Sequence, residues 1–272
     1  MGLYFTSQSL ITTQQQSRAT QDQVRLAEMS QKADRFTKAI DQLGSERLDI
    51  RVGAVFAFDV FVRNSPEYYR ATIQTLASFI RIHAPAGNSC STLRSSPADI
   101  EAAMLVIGRN FDDNKYRGDS DNSDLFANGL GTLDLSDTCL RGMYLPRINL
   151  TTVRLAHADF SFAHLVGARF DSADMEEADF SNADVSGAHF DFSFLTNAHL
   201  VNTRAPGSVL EGAHLDHADL SHGSFPMASF RDCTMTGIRL TGGDFRSADL
   251  TGVDLSGVDR SGANFTAAIG IK

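Results

Sequence analysis

The chain has 272 residues, 42% hydrophobic and 21% charged, with a formal net charge of −9, which is enough for one large or two modest cores. The acidic balance argues against direct binding of nucleic acid through its phosphates, which needs a basic surface, and leaves a protein partner open. No stretch approaches the roughly 18–20 consecutive apolar residues of a membrane span. The start, MGLYFTSQSLITTQQQ, lacks the basic lead and long apolar centre of a signal peptide. Cys90, Cys139 and Cys233 have no metal-ligand spacing and read as reduced thiols of a cytoplasmic protein.

Residues 1–14 read as a flexible N-terminus. From about Thr13, Val24, Leu26, Met29, Ala33, Phe36, Ile40 and Leu43 recur at helical offsets, and Gly44 follows as a stop. Ser45 caps a second helix in which Leu48, Val52, Val55, Phe56, Phe58, Val60 and Phe61 leave few polar faces, so it is expected to lie sandwiched between neighbours. Ser65-Pro66-Glu67 and Ser96-Pro97 with Asp99 are start signals for a third and a fourth helix. The third stops before Pro85 and the fourth near Gly108. Short connections imply antiparallel neighbours, giving a helical domain over 15–109. A polar, acidic linker over 110–124 follows. Asp119, Asp121 and Ser123 match the first ligands of a calcium loop, but Asp124 replaces its glycine and Leu130 its closing glutamate.

Residues 125–272 carry an apolar residue at every fifth position: Leu135, Leu140, Leu145, Leu150, Leu155, Phe160 and onward to Leu255, broken at Ala205 and Arg260. Two residues before each stands a small one, such as Ala158, Ala163, Ala168 and Ala173. A period of five fits neither the 3.6 of a helix nor the 2 of a strand, so this is a repeat architecture. Bulky Met143, Ile148 and Val153 at the small position suggest that the first coils pack differently, beneath the helical domain. Arg260 suggests a frayed or capped last coil.

Blocks such as Ala158-Asp159-Phe160-Ser161-Phe162, Ala178-Asp179-Phe180-Ser181-Asn182, Ala218-Asp219-Leu220-Ser221-His222 and Ala248-Asp249-Leu250-Thr251-Gly252 resemble the A-(D/N)-L-x-x unit of pentapeptide-repeat proteins. The resemblance implies a mainly β fold: a right-handed quadrilateral β-helix with four units per coil, preceded here by a small all-α domain. Pro146, Pro206 and Pro226, separated by 60 and 20 residues, agree with a coil of twenty. About seven coils at ~4.8 Å each would span roughly 34 Å. Residues 35–45 and 48–54 resemble a HEAT-like module that precedes the repeats in one bacterial subgroup. A membrane segment often comes first in that subgroup, and Gly2-Leu3-Tyr4-Phe5-Thr6 looks like its trailing edge, so the resemblance implies either a soluble cytoplasmic member or, if a span precedes this sequence, a membrane-proximal one.

No nucleophile–base pair, phosphate loop or cofactor motif appears. The solenoid histidines fall on outward positions spread around the walls. Residues twenty apart stack, so Cys139, Asp159, Asp179, His199, Asp219, Arg239 and Asp259 form one column, the candidate interaction surface. His199 should lie between two carboxylates and Arg239 between Asp219 and Asp259, while Arg154 stacks over Asp174 and Asp184 over Arg204. The expected function is a non-catalytic scaffold for protein–protein interaction. The resemblance implies an alternative, since some pentapeptide-repeat proteins mimic B-DNA and bind DNA gyrase or topoisomerase IV, protecting them from inhibitors. Ile269 and Ile271 are placed either to cover the open end of the C-terminal coil or to form a weak homotypic contact through it.

Overall fold

The computed structural model describes residues 2–87, 90, 97–111 and 132–271, with residues 2–13 as backbone only. Helix α1 spans Gly2–Leu43, α2 Leu48–Asn64, α3 Tyr69–His83 after a 3-10 turn at Pro66–Tyr68, and α4 Ala98–Asn110. α1 takes in residues 2–14, the stretch whose composition suggests a flexible terminus. No glycine or proline interrupts residues 3–43, so each added residue extends the helix at little cost once it is nucleated. The calcium-loop residues and most of the 110–124 segment lie outside the described residues.

The chain forms two compact units, Met1–Ala54 and Val55–Lys272, divided within α2. In the first, α1 ends where Gly44 and Ser45 donate their N–H groups to the carbonyls of Ile40 and Gln42. The Arg51 guanidinium then donates to the carbonyls of Ser45 and Glu46.

In the second unit Phe58, Ile73, Leu76, Ile80, Ile100, Met104 and Ile107 are buried. Tyr69 Oη donates to the carbonyl of Asn110 at 2.9 Å, and the Asn110 amide reaches Asp59 Oδ1 at 3.2 Å. α2 is not sandwiched. Val55, Phe58 and Val62 are buried along one stripe, whereas Phe56 and Val60 are 61% and 51% exposed. At 3.6 residues per turn these two sets point to different faces.

The repeat folds unit by unit. In each, the N–H of the small residue closes a β-turn onto the preceding apolar residue's carbonyl, as from Ala163 to Phe160 and from Ala183 to Phe180. The third turn residue has positive φ, for example +59° at His157, +61° at Phe162 and +62° at Gly187. This is the type II requirement that favours glycine or asparagine and strains other residues. Between turns, parallel bridges join residue i to i+20, from Asp134↔Arg154 through to Asp249↔Ile269. A coil is therefore four five-residue units.

The apolar column and its small partners fill the interior. Phe160 stacks on Phe180 and Phe170 on Phe190, each at 5.1 Å, and the two stacks meet edge-on at 5.7–5.8 Å. Where a hydroxyl or thiol replaces alanine it donates to a carbonyl: Ser193 to Phe190, Thr203 to Phe180 and Cys233 to Leu210. Burial pushes the Cys233 thiol up to about 12, so it stays protonated.

The helices close the first coil. Pro85 bridges Thr138 in antiparallel fashion, with Ala86 N–H donating to Asp137 and Cys139 N–H to Ala84, both at 2.7 Å. This pairing covers the open edge that a β-helix would otherwise expose. The Gly108 carbonyl of α4 accepts from Asn149 at 3.3 Å. A Cβ on Gly108 would collide with the Ile148 side chain, so the missing side chain is what lets α4 rest on the bulky first coils.

Cys90 and Cys139 are joined in a disulfide with Cα atoms 5.6 Å apart, which corrects the reading of three reduced thiols. The two lie 49 residues apart in sequence. Only the segment after α3, laid against the first coil, brings them together, and no sequence spacing carries that information.

Candidate interaction surface

Parallel bridges join Cys139↔Asp159, Asp159↔Asp179, Asp179↔His199, His199↔Asp219 and Asp219↔Arg239 in one column. The inter-coil pairs Arg154–Asp174, Arg204–Asp184 and Arg239–Asp219 stand at 3.7, 3.4 and 3.1 Å. Asp259 does not join them, and no Arg239↔Asp259 bridge forms among the described residues. Arg260 occupies the central column, and a guanidinium cannot be buried there unpaired. It is exposed together with Asp259, and this wall of the last coil leaves the ladder. His199 makes no ion pair with Asp179 or Asp219 within 4.0 Å among the described residues.

The carboxylates turn along their own strands. Asp159, Asp179, Asp219 and Asp259 each accept the N–H of the serine two residues on, at 2.8–3.0 Å. Asp184, Asp249 and Asp254 do the same with Ser186, Thr251 and Ser256. These are Asx turns, in which a carboxylate oxygen braces the backbone entering each corner. The signal is legible as Asp-x-Ser/Thr in the repeat unit.

Electrostatics follow. Burial pushes the Asp219 carboxyl up, but its hydrogen bonds from Ser221 and the Arg239 guanidinium outweigh that and hold it below the ordinary range. The Thr251 hydrogen bonds lower Asp249, and those of Ser261 lower Asp259. Asp191 goes the other way, raised by burial and then by Asp171 one coil below, against which His189 at 3.5 Å compensates only in part.

Aromatic side chains also project from the walls, and the sequence reading did not single them out. Phe192 is 65% exposed and its ring covers Gly212, where a Cβ would lie 2.7 Å from it. Phe194 stacks on His214 at 5.0 Å and 7°, and Arg141 sits 4.3 Å over the Phe162 ring. The available sequence signal was a phenylalanine off the five-residue column.

The family model described as pentapeptide repeats (8 copies) matches four overlapping or adjoining stretches, residues 134–171, 154–191, 193–237 and 228–269. The chain is a pentapeptide-repeat protein. Proteins with these repeats form right-handed β-helices. Among solved structures the chain is similar to HetL, a pentapeptide repeat protein involved in heterocyst differentiation regulation from the cyanobacterium Nostoc. That match has 24% identity, covers 51% of this chain and 80% of that one, and has a TM-score of 0.27. It is also similar to a pentapeptide repeat protein of the Arabidopsis thaliana thylakoid lumen, at 30% identity over 45% of this chain and 65% of that one, with a TM-score of 0.26. A third is QnrB1, a plasmid-mediated fluoroquinolone resistance protein, at 19% identity over 60% and 87%, with a TM-score of 0.28. No curated protein sequence matches the chain. No helix among the described residues is long and apolar enough to cross a membrane.

Proposed function

We propose that this pentapeptide-repeat protein is a non-catalytic scaffold whose solenoid walls bind a protein partner, with the helical region read as a HEAT-like module. The observation that carries this reading is the pair Phe192 and Phe194, carried on the rigid coil, the first 65% and the second 48% exposed. Rigid aromatic side chains of this kind anchor protein interfaces. The charges around them are mixed, and the acidic groups nearby already accept backbone N–H groups: Asp191 that of Glu211 one coil on, and Asp174 that of Glu176 in its own turn.

The rival reading, a DNA mimic that binds DNA gyrase, rests on the column Asp159, Asp179 and Asp219. Residues 131–272 hold 18 acidic and 10 basic residues, a net of −8. Spread over coils of twenty residues, that is about one net charge per coil, whereas duplex DNA carries about three over the same ~4.8 Å. His199 and Arg239 interrupt the column further. A gyrase supercoiling assay separates the two. The scaffold reading expects no change at micromolar protein, and inhibition or protection from a quinolone would overturn it in favour of mimicry.

A further inference from the structure

The first coil carries a cluster that the scaffold reading does not use. Sγ of Cys90, Sγ of Cys139 and a carboxylate oxygen of Asp159 all lie within 4.8 Å of one another. Both cysteines are at most 2% exposed, and Asp159 is half-buried. The three residues come from two separate parts of the chain: the segment after α3, and two successive coils joined by the Cys139↔Asp159 bridge.

The two oxygens of Asp159 are used differently. Oδ1 accepts both the N–H and the hydroxyl of Ser161. Oδ2 instead points at sulfur, 3.0 Å from Cys90 Sγ, and meets no other donor among the described residues. A disulfide has no hydrogen to give, so in the oxidised protein this oxygen faces the sulfurs without a donor. On reduction the same position holds two thiols and a carboxylate, converging on one point.

We propose that Cys90, Cys139 and Asp159 form a redox-gated site for a thiophilic divalent cation of the Zn²⁺ class, closed as the disulfide and open as the dithiol. A dithiol reductant attacks one sulfur through a mixed disulfide and leaves as its own cyclic disulfide, and its two electrons remain on the two cysteine sulfurs. Zn²⁺ then binds both as thiolates, releasing two protons, and takes Asp159 Oδ2 as third ligand and water as the fourth.

The geometry suits both states. Tetrahedral zinc with Zn–S of about 2.3 Å needs sulfurs about 3.8 Å apart and a carboxylate oxygen about 3.5 Å from each. The 5.6 Å Cα separation lies within the range for a disulfide, and side-chain rotation alone can open the sulfurs to that distance. A three-ligand site with one open position is a known zinc arrangement. Cys233 is buried elsewhere in the solenoid and serves as an internal control.

The test uses the full chain, reduced with a dithiol and then freed of it under anaerobic conditions, with Co²⁺ as an optical probe and Zn²⁺ as competitor. The reduced protein is expected to bind one equivalent of Co²⁺ with a thiolate-to-cobalt charge-transfer band that Zn²⁺ abolishes, and the oxidised protein none. Cys139→Ser should remove the band, and Cys233→Ser should leave it intact. Asp159→Asn keeps the oxygen that braces Ser161, so the coil stays folded, and it should weaken binding at least about tenfold. The proposal is overturned if the reduced protein binds no Co²⁺, if the oxidised protein binds it equally, or if Asp159→Asn binds as tightly as the parent.

Discussion

Replacing Phe180 by alanine tests whether the column of every fifth residue is the source of stability. Phe180 is fully buried. It stacks on Phe160 at 5.1 Å and 8°, and meets Phe170 and Phe190 edge-on at 5.8 Å. Its removal opens a cavity between coils that are hydrogen-bonded above and below and cannot collapse, which puts the cost in the range of about 3–5 kcal/mol for a buried phenylalanine. Phe265 is the internal comparison. It occupies the same kind of slot near the end of the solenoid, is only half-buried, and has one stacking partner, Phe245, at 5.1 Å. Its loss should cost about 1 kcal/mol, most of it one aromatic pair and partial burial. Urea unfolding followed by circular dichroism measures both, and an unchanged slope would show that each variant unfolds the same structure. Because stacked repeats can unfold in part, hydrogen exchange on either side of the substitution should accompany it. Equal costs for the two variants, or a Phe180→Ala loss under about 1 kcal/mol, would refute the argument.

Two further substitutions and one titration follow. Gly108→Ala should destabilise the second unit by about 1–3 kcal/mol through overpacking against Ile148, seen as a lower melting temperature. Gly187→Ala, where a Cβ meets nothing within 4 Å, should cost only about 1 kcal/mol from its φ of +62°. Asp219, Asp244, Asp249 and Asp259 have carboxyls held below their ordinary 3.8. Their contribution is therefore present above about pH 4 and is lost as pH falls through the lowered values, so the melting temperature should drop below pH 4. Asp191 has the opposite sign. Its raised value means the folded state holds that proton more readily, so stability falls as pH rises past 3.8. Asp191→Asn should then leave the melting temperature at pH 7 unchanged or higher, and a clear drop would count against the Asp171–Asp191 repulsion.

The features legible in the sequence are those that depend only on chain arithmetic. The five-residue column follows from hydrophobicity, and the pairs Arg154–Asp174, Asp184–Arg204 and Asp219–Arg239 follow once residue i is placed over i+20. The expectation for Asp259 fails for a local reason, since the charge of Arg260 pulls that wall out of the ladder. The ladder alone does not describe the carboxylates, because a nearer donor, the N–H two residues on, also takes an oxygen of Asp159, Asp179, Asp184 and Asp219. Cys90 was not legible at all. Its place depends on how the segment after α3 lies on the first coil, a tertiary fact with no periodic trace.

That nearer donor also changes what a partner would meet on the 139–239 wall. A carboxylate locked to its own turn presents part of its charge to the backbone and only the remainder to solvent, and an arginine one coil away neutralises more of it. A basic partner gains less from such a group than from a free phosphate, because it must compete with hydrogen bonds already made. An exposed aromatic ring resting over a glycine has no such competitor. Phe192 rests against Gly212 of the next coil, so less side-chain entropy remains to be lost on binding. On physical grounds, recognition by this solenoid should depend more on its protruding rings than on its acidic column.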